Sequence, residues 1–93
     1  MSGLTLVCWR DIPAQVTRGK GRSAERVVLA ERFEKAIDRA AMRAGLTGTG
    51  AYLDQWRRVP VPGDDPAAEA ARIEAEYDDD RLRALIARDG FNP

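Results

Sequence analysis

The sequence of 93 residues contains no histidine and a single cysteine, Cys8. Histidine is the commonest general base and transition-metal ligand in proteins, so its absence removes the usual means of acid–base and metal-assisted catalysis. One cysteine cannot form an internal disulfide, and it cannot alone hold a structural zinc ion or an iron–sulfur cluster. The composition therefore predicts a domain without a cofactor or a conventional catalytic apparatus, working in a reducing compartment.

Long apolar runs are also missing from the chain. No stretch approaches the roughly 18 consecutive apolar residues that a membrane-spanning helix needs. The first residues lack the pattern of a secretory signal, in which a basic segment precedes an apolar one. We therefore expect a cytoplasmic protein without a membrane anchor.

The residues that are present have the composition of an ordinary globule, with 44% hydrophobic and 32% charged side chains. This length predicts a single domain over residues 1–93. The net charge is zero, but residues 1–60 hold 11 Lys and Arg against 6 Asp and Glu, whereas residues 61–93 hold 4 against 9. Either the acidic part packs against the basic part, or a basic surface stays free for an anionic partner.

The opening apolar run, residues 4–9, is too short for a stable helix and predicts a buried strand around which the sheet is built. Pro13 removes a backbone donor and is expected to interrupt the ladder, after which residues 14–18 continue in extended form. Residues 23–28 fit either a return strand or an early helical turn, and we favour the strand.

A further strand is predicted at residues 51–61, which are rich in strand-forming side chains. Alternation along this strand would place Tyr52, Asp54 and Trp56 on one face. Pro60 and Pro62 indicate an edge position or the exit from the sheet.

Two or three helices are predicted. Residues 30–44 carry one apolar stripe at helical spacing, and Gly45 supplies the usual stop. Asp65 followed by Pro66 is a typical helix start. The apolar stripe changes phase near Asp78, so this part predicts either two short helices, the second over residues 81–88, or one kinked helix. Together these elements predict an α+β fold, with a small, mostly antiparallel sheet of about three strands packed by two or three helices.

Cys8 is the first candidate for chemistry. A nucleophilic cysteine needs a lowered pKa, usually from a nearby base or a helix N-terminus, and no histidine is available here. We interpret Cys8 as a buried packing residue. The clusters of aspartates near positions 64 and 78 match no complete metal-binding loop, and helix capping explains them.

Four residues are candidates for binding a partner: Trp9, Arg10, Asp11 and Trp56. Tryptophan and arginine are enriched at the energetic centres of protein interfaces. The alternative for the first three is that they stabilise the turn before Pro13, and the sequence does not separate these interpretations. The competing interpretation of Trp56 is a structural tryptophan.

Another set of cations favours an anion or nucleic-acid site: Arg18, Lys20, Arg22 and Arg58. The first three flank glycines at an expected hairpin tip, where charge and backbone N–H groups can meet a phosphate. Trp56 and one of its two arginine neighbours would add a stacking surface. A solvated hairpin tip is the competing interpretation.

Three segments resemble the bacterial virulence factor domain family: Cys-Trp-Arg-Asp-Ile-Pro-Ala-Gln-Val at 8–16, Arg-Phe-Glu-Lys-Ala-Ile-Asp-Arg-Ala-Ala-Met at 32–42, and Tyr-Leu-Asp-Gln-Trp at 52–56. The likeness runs from Leu4 to about Gly90, and the segment around Cys8 is its most specific part. Relatives carry a proline near the position of Ala30, which this chain lacks, so the resemblance does not define where the first helix begins.

The resemblance implies a short free-standing member, similar to the C-terminal domain of proteins like conserved virulence factor C. There the domain accompanies helical repeats and a domain similar to one from iron–sulfur assembly proteins. The family name describes a phenotype, so it implies no catalytic residues. The resemblance also implies that short members occur near genes for folate- and corrinoid-linked methyl transfer. We expect a non-catalytic accessory or interaction domain, with a methyl-transfer or iron–sulfur-related enzyme as a candidate partner.

Overall fold

The computed structural model describes residues 3–19 and 24–92. Within these residues the chain forms four strands and four helices. In chain order the elements are β1 (Leu4–Trp9), β2 (Ile12–Arg18), β3 (Glu25–Val28), α1 (Glu31–Arg43), α2 (Gly50–Asp54), β4 (Trp56–Val61), α3 (Pro66–Glu76) and α4 (Asp79–Ala87). The α+β fold is confirmed, and residues 25–28 form the strand that we favoured.

The first strand lies inside the sheet, as predicted. The strand order is β3-β2-β1-β4, and each neighbouring pair is antiparallel. Val7 lies opposite Gln15 and Cys8 lies opposite Pro13, so Ala14 has no partner and forms a bulge. The carbonyl of Ala14 accepts a hydrogen bond from the N–H of Leu29 at 3.1 Å. The proline region therefore shifts the ladder by one residue without ending the strand.

The two faces of the sheet have different surroundings. Because side chains alternate along a strand, Leu6 and its cross-strand neighbour Val16 share one face, and Val27 of β3 continues the row. All three belong to or pack against the hydrophobic core. The opposite face carries Val7 and Val28 at neighbouring positions of the register, and Val28 is exposed. We refer to this side as the Val7 face.

The first helix has the predicted apolar stripe and the predicted stop. Its buried side chains are Phe33, Ala36, Ile37, Ala40 and Ala41. After the helix, the N–H of Gly45 donates to the carbonyl of Met42 and the N–H of Leu46 donates to that of Ala41. This pair of bonds is a Schellman motif, which satisfies carbonyls that the helix end would leave unpaired.

Aspartates begin the last two helices. The side chain of Asp65 accepts from the N–H groups of Ala67 and Ala68, and Asp78 accepts from the N–H of Arg81. Of the two arrangements expected here, the structure has two short helices, and α4 begins at Asp79, two residues earlier than expected. None of the helices formed by the described residues is long and apolar enough to cross a bilayer.

The single strand expected over residues 51–61 is wrong in its first half. The side chain of Thr49 accepts a hydrogen bond from the N–H of Tyr52 at 3.3 Å and caps a short helix, α2. The strand begins only at Trp56, which pairs with Trp9 of β1. Tyr52 and Trp56 therefore do not occupy alternate positions of one strand, because a local cap outweighs the strand preference of the residues that follow it.

Several contacts join the basic and acidic parts of the chain. Arg43 forms an ion pair with Asp89 at 3.3 Å, and the guanidinium of Arg32 donates to the carbonyl of Glu74 at 2.6 Å and to that of Tyr77. These contacts support the interpretation in which the acidic C-terminal part packs against the basic part.

Candidate functional site

Trp9 lies in the core and not on the surface. Its side chain is fully buried, its Nε1–H donates to the carbonyl of Tyr52 at 3.0 Å, and the two rings lie 5.6 Å apart. It ends the inner strand, between Ile12 and Trp56 on the neighbouring strands. Direct contact between Trp9 and a partner is therefore incompatible with the folded chain, and this part of the predicted binding set is wrong.

Arg10 is held by contacts within the chain. Its backbone has a φ of +53°, and its guanidinium lies 5.1 Å from the ring centre of Trp9 and 4.4 Å from that of Phe91. The Nε–H donates to the side-chain oxygen of Gln55, and Nη1 donates to the carbonyl of Asp89. These contacts support the turn-stabilising interpretation of Arg10.

Asp11 completes the same arrangement. One carboxylate oxygen accepts from Arg57 Nη2 at 2.7 Å and the other accepts from the N–H of Asn92 at 2.7 Å. Arg57 also donates through Nε to the carbonyl of Arg10 at 2.8 Å. We call Arg10, Asp11 and Arg57 the turn clamp, because they join the β1–β2 turn to β4 and to the C-terminal residues.

Cys8 is buried beneath this turn, as the sequence predicts. Burial raises the pKa of its thiol to about 11, which the guanidinium of Arg57 opposes and the carboxylate of Asp11 reinforces. The thiol is therefore protonated near neutral pH. A protonated thiol is a poor nucleophile and a poor metal ligand.

The aspartate clusters near positions 64 and 78 stabilise the helices that follow them. Asp65 and Asp78 cap α3 and α4, and Asp80 forms an ion pair with Arg83. Across residues 3–19 and 24–92, no three cysteine or carboxylate side chains come together as a metal site would require.

The cations of the anion-binding alternative are not assembled where the structure describes them. Lys20 and Arg22 lie outside the described residues. Arg18 lies opposite Leu4 and Arg58 lies opposite Val7, three positions along β1, so the two arginines project from opposite faces of the sheet. Arg18 is also 3.7 Å from the carboxylate of Glu25. Arg58 and Arg18 therefore do not share a face of the sheet, and the anion-binding alternative stays a prediction.

A groove of about 370 Å³ opens between the Val7 face of the sheet and α1. We call it the acidic–aromatic groove and define it by six of its lining residues: Val7, Val28, Glu34, Asp38, Tyr52 and Trp56. Of the predicted partner-binding residues, Trp56 is the one that lines it. Arg58 lines a separate depression that shares Val7 and Trp56 with the groove.

The aromatic side of the groove is built by packing. The rings of Tyr52 and Trp56 lie 6.3 Å apart at an angle of 87°, and Trp9 packs against Tyr52 from the core. Burial raises the pKa of the Tyr52 phenol above its usual value, and the nearby carboxylate of Asp38 adds to the rise. The contact with the buried ring of Trp9 holds Tyr52 in place at the edge of the groove.

A second depression adjoins the groove. It measures about 330 Å³, shares Asp38 and Tyr52 with the groove and is also lined by Met42. Val28 and Met42, one in each depression, are 68% and 64% exposed. Glu34 and Asp38 are exposed on α1 and line the groove. The sequence gives no signal for this role, because it does not show that α1 lies beside the Val7 face.

Comparison with protein-family models gives a match to the family described as Virulence factor, over residues 7–86. Searches of the curated proteins and of the solved structures found no match. The matched region includes the turn clamp and every residue that defines the acidic–aromatic groove. This chain therefore belongs to the virulence factor family.

Proposed function

We propose that this domain is a non-catalytic accessory module that binds another protein through the acidic–aromatic groove and the adjoining depression. The observation that carries the proposal is the placement of Val28 and Met42, two exposed apolar side chains that each line a concave surface. Scattered apolar residues are normal on protein surfaces, but apolar residues in adjoining depressions are typical of interaction sites.

The form of this surface favours an extended segment of a partner. The two depressions meet at Asp38 and Tyr52, so one continuous segment can place a side chain in each. Tyr52 and Trp56 offer large, partly buried aromatic area, which contributes strongly at protein interfaces. Because the rings are held by packing, ordering them costs little on binding.

The chemistry of the described residues favours binding over catalysis. Cys8 is buried and protonated, and the residues of the turn clamp are engaged with one another and with the backbone. By family resemblance, we propose a larger enzyme or scaffold as the partner, with methyl-transfer and iron–sulfur proteins as the first candidates to test.

Site-specific photocrosslinking in the native host tests this proposal. A photoreactive residue replaces Val28, Met42 or the exposed Ala84 of α4, which lines neither depression. We expect Val28 and Met42 to capture the same protein, identified by mass spectrometry, and Ala84 not to capture it.

The captured protein is then purified and its affinity for the domain is measured. Val28→Asp should weaken binding by at least about tenfold, because a charge replaces an apolar contact, whereas Ala84→Asp, with the same charge change, should not. Capture of nucleic acid in place of a protein, or equal loss in both variants, would contradict the proposal. Unchanged thermal melting of both variants verifies the fold.

A further inference from the structure

We infer that the acidic–aromatic groove receives a cationic side chain of the partner, the ammonium of lysine or the guanidinium of arginine. This inference rests on the proposed function and specifies the chemistry of the segment that binds. It is carried by the combination of two carboxylates, two aromatic rings and an apolar floor in one groove.

The charge of the groove is complementary to a cation. Glu34 and Asp38 lie one helical turn apart on α1, are exposed and line the groove. Among the described residues, neither is in an ion pair, whereas Glu31 on the same helix pairs with Lys35. Like charges at this spacing repel each other, so a cation between them relieves the repulsion as well as pairing with each.

The aromatic wall suits the same occupant. A cation is attracted to the face of an aromatic ring, most strongly to tryptophan, and Tyr52 and Trp56 present two rings at nearly a right angle. Val7 and Ile37 line the groove as apolar contacts for the methylene stem of a lysine or arginine. A long side chain with an apolar stem and a cationic tip therefore matches both the apolar residues of the groove and its carboxylates and aromatic rings.

Other occupants match less of the groove. An aliphatic side chain would use Val7 and Val28 but would remove water from the carboxylates without pairing them, which costs free energy. An acidic side chain would be repelled by Glu34 and Asp38. Arg58 lines the separate depression next to the groove. Among the described residues, the charged side chains that line the groove itself are Glu34 and Asp38.

Selection from a displayed library of random 12-residue peptides tests the inference on the whole purified domain. We expect enriched peptides to contain a lysine or arginine beside an apolar residue. In a synthetic peptide from this set, replacing that lysine or arginine by norleucine should weaken binding about tenfold, as expected for one ion pair together with a cation–π contact.

The domain variants locate the effect. The double variant Glu34→Gln/Asp38→Asn should bind the cationic peptide about tenfold more weakly than the wild-type domain does. Its affinity for the norleucine peptide should be unchanged. Glu31→Gln is the matched control, because Glu31 also lies in the first turn of α1 but does not line the groove. Equal loss in the control would overturn the inference, since it would indicate a general charge effect.

The outcomes separate the inference from the proposed function. Peptides that depend on Val28 but lack a cation, or that are rich in acidic residues, would overturn the inference while the interaction function stands. If no peptide is enriched on the wild-type domain over the Val28→Asp domain, both the proposed function and the inference fail.

Discussion

Gly90 provides the sharpest test of how the C-terminal residues close over Trp9. It follows α4 with a φ of +97°, and its N–H donates to the carbonyl of Leu85 at 2.8 Å. A Cβ atom at this position would lie 2.9 Å from Cζ3 of Trp9 and 3.3 Å from Cβ of Arg10. The Gly90→Ala variant therefore adds both backbone strain and a clash with a buried ring.

The expected cost is the sum of these two effects. A non-glycine residue in such a backbone region costs about 1–3 kcal/mol. Overpacking a core costs typically about 1–3 kcal/mol more, and Trp9 has little room to move because it is fully buried and hydrogen-bonded. We expect a total loss of about 2–6 kcal/mol, which is a large part of the stability of a typical domain.

Gly63→Ala is the matched control. Gly63 has a φ of +112°, but the nearest atom to an added Cβ is Cδ1 of Leu4 at 3.5 Å, an ordinary contact. This variant should therefore show the backbone cost alone. Urea unfolding followed by tryptophan fluorescence and by circular dichroism gives both values.

The reasoning is refuted if Gly90→Ala costs no more than Gly63→Ala, within about 0.5 kcal/mol. A second measurement checks the cause of the difference. In a Trp9→Phe background the smaller ring leaves space, so adding Gly90→Ala should cost less than it does in the wild type. Additive costs would show that the ring of Trp9 is not what the added methyl group meets.

Three further predictions concern the turn, the thiol and a helix cap. Asp11→Ala should lower the free energy of unfolding by about 1–3 kcal/mol, because it removes the acceptor of both Arg57 and the N–H of Asn92; an unchanged urea midpoint would contradict this. Burial raises the pKa of Cys8 from its usual 9.0 to about 11, so the unfolded chain releases its thiol proton first and stability should fall between about pH 9 and 11, by about 2 kcal/mol. Cys8→Ala should remove that part of the pH dependence, and an identical pH profile in both proteins would count against it. Asp78→Ala should cost about 1 kcal/mol through loss of the α4 cap, whereas Asp78→Asn should retain most of the stability in thermal melts.

The features that could be predicted from the sequence are mostly those that depend on residues close together in the chain, such as the ends of helices. The caps Asp65 and Asp78 and the stop at Gly45 were identified because a helix end depends on the few residues that form it. The short helix α2 was not predicted, because two local signals conflict there. Thr49 supplies its cap, but the strand-forming residues after it gave a stronger pattern.

The sequence did not distinguish the surroundings of the two tryptophans. Both were predicted to bind a partner, yet Trp9 is buried in the core while Trp56 lines the groove. The two residues are paired across β1 and β4. They differ in how far the other segments of the chain bury each side chain. That burial depends on contacts between distant parts of the chain, such as Gly90 against Trp9, which no local pattern encodes.

By itself, the sequence determined the α+β class, the inner position of the first strand, the stop after α1, the aspartate caps of α3 and α4, and the family resemblance, because these depend on local preferences and on periodic burial. Only the tertiary structure decided that Arg10 and Asp11 engage the chain's own C-terminal residues. It also decided that Glu34 and Asp38 line the same groove as Tyr52 and Trp56. The physical reason is that the packing of the whole chain selects which polar side chains are satisfied internally and which remain available to a partner.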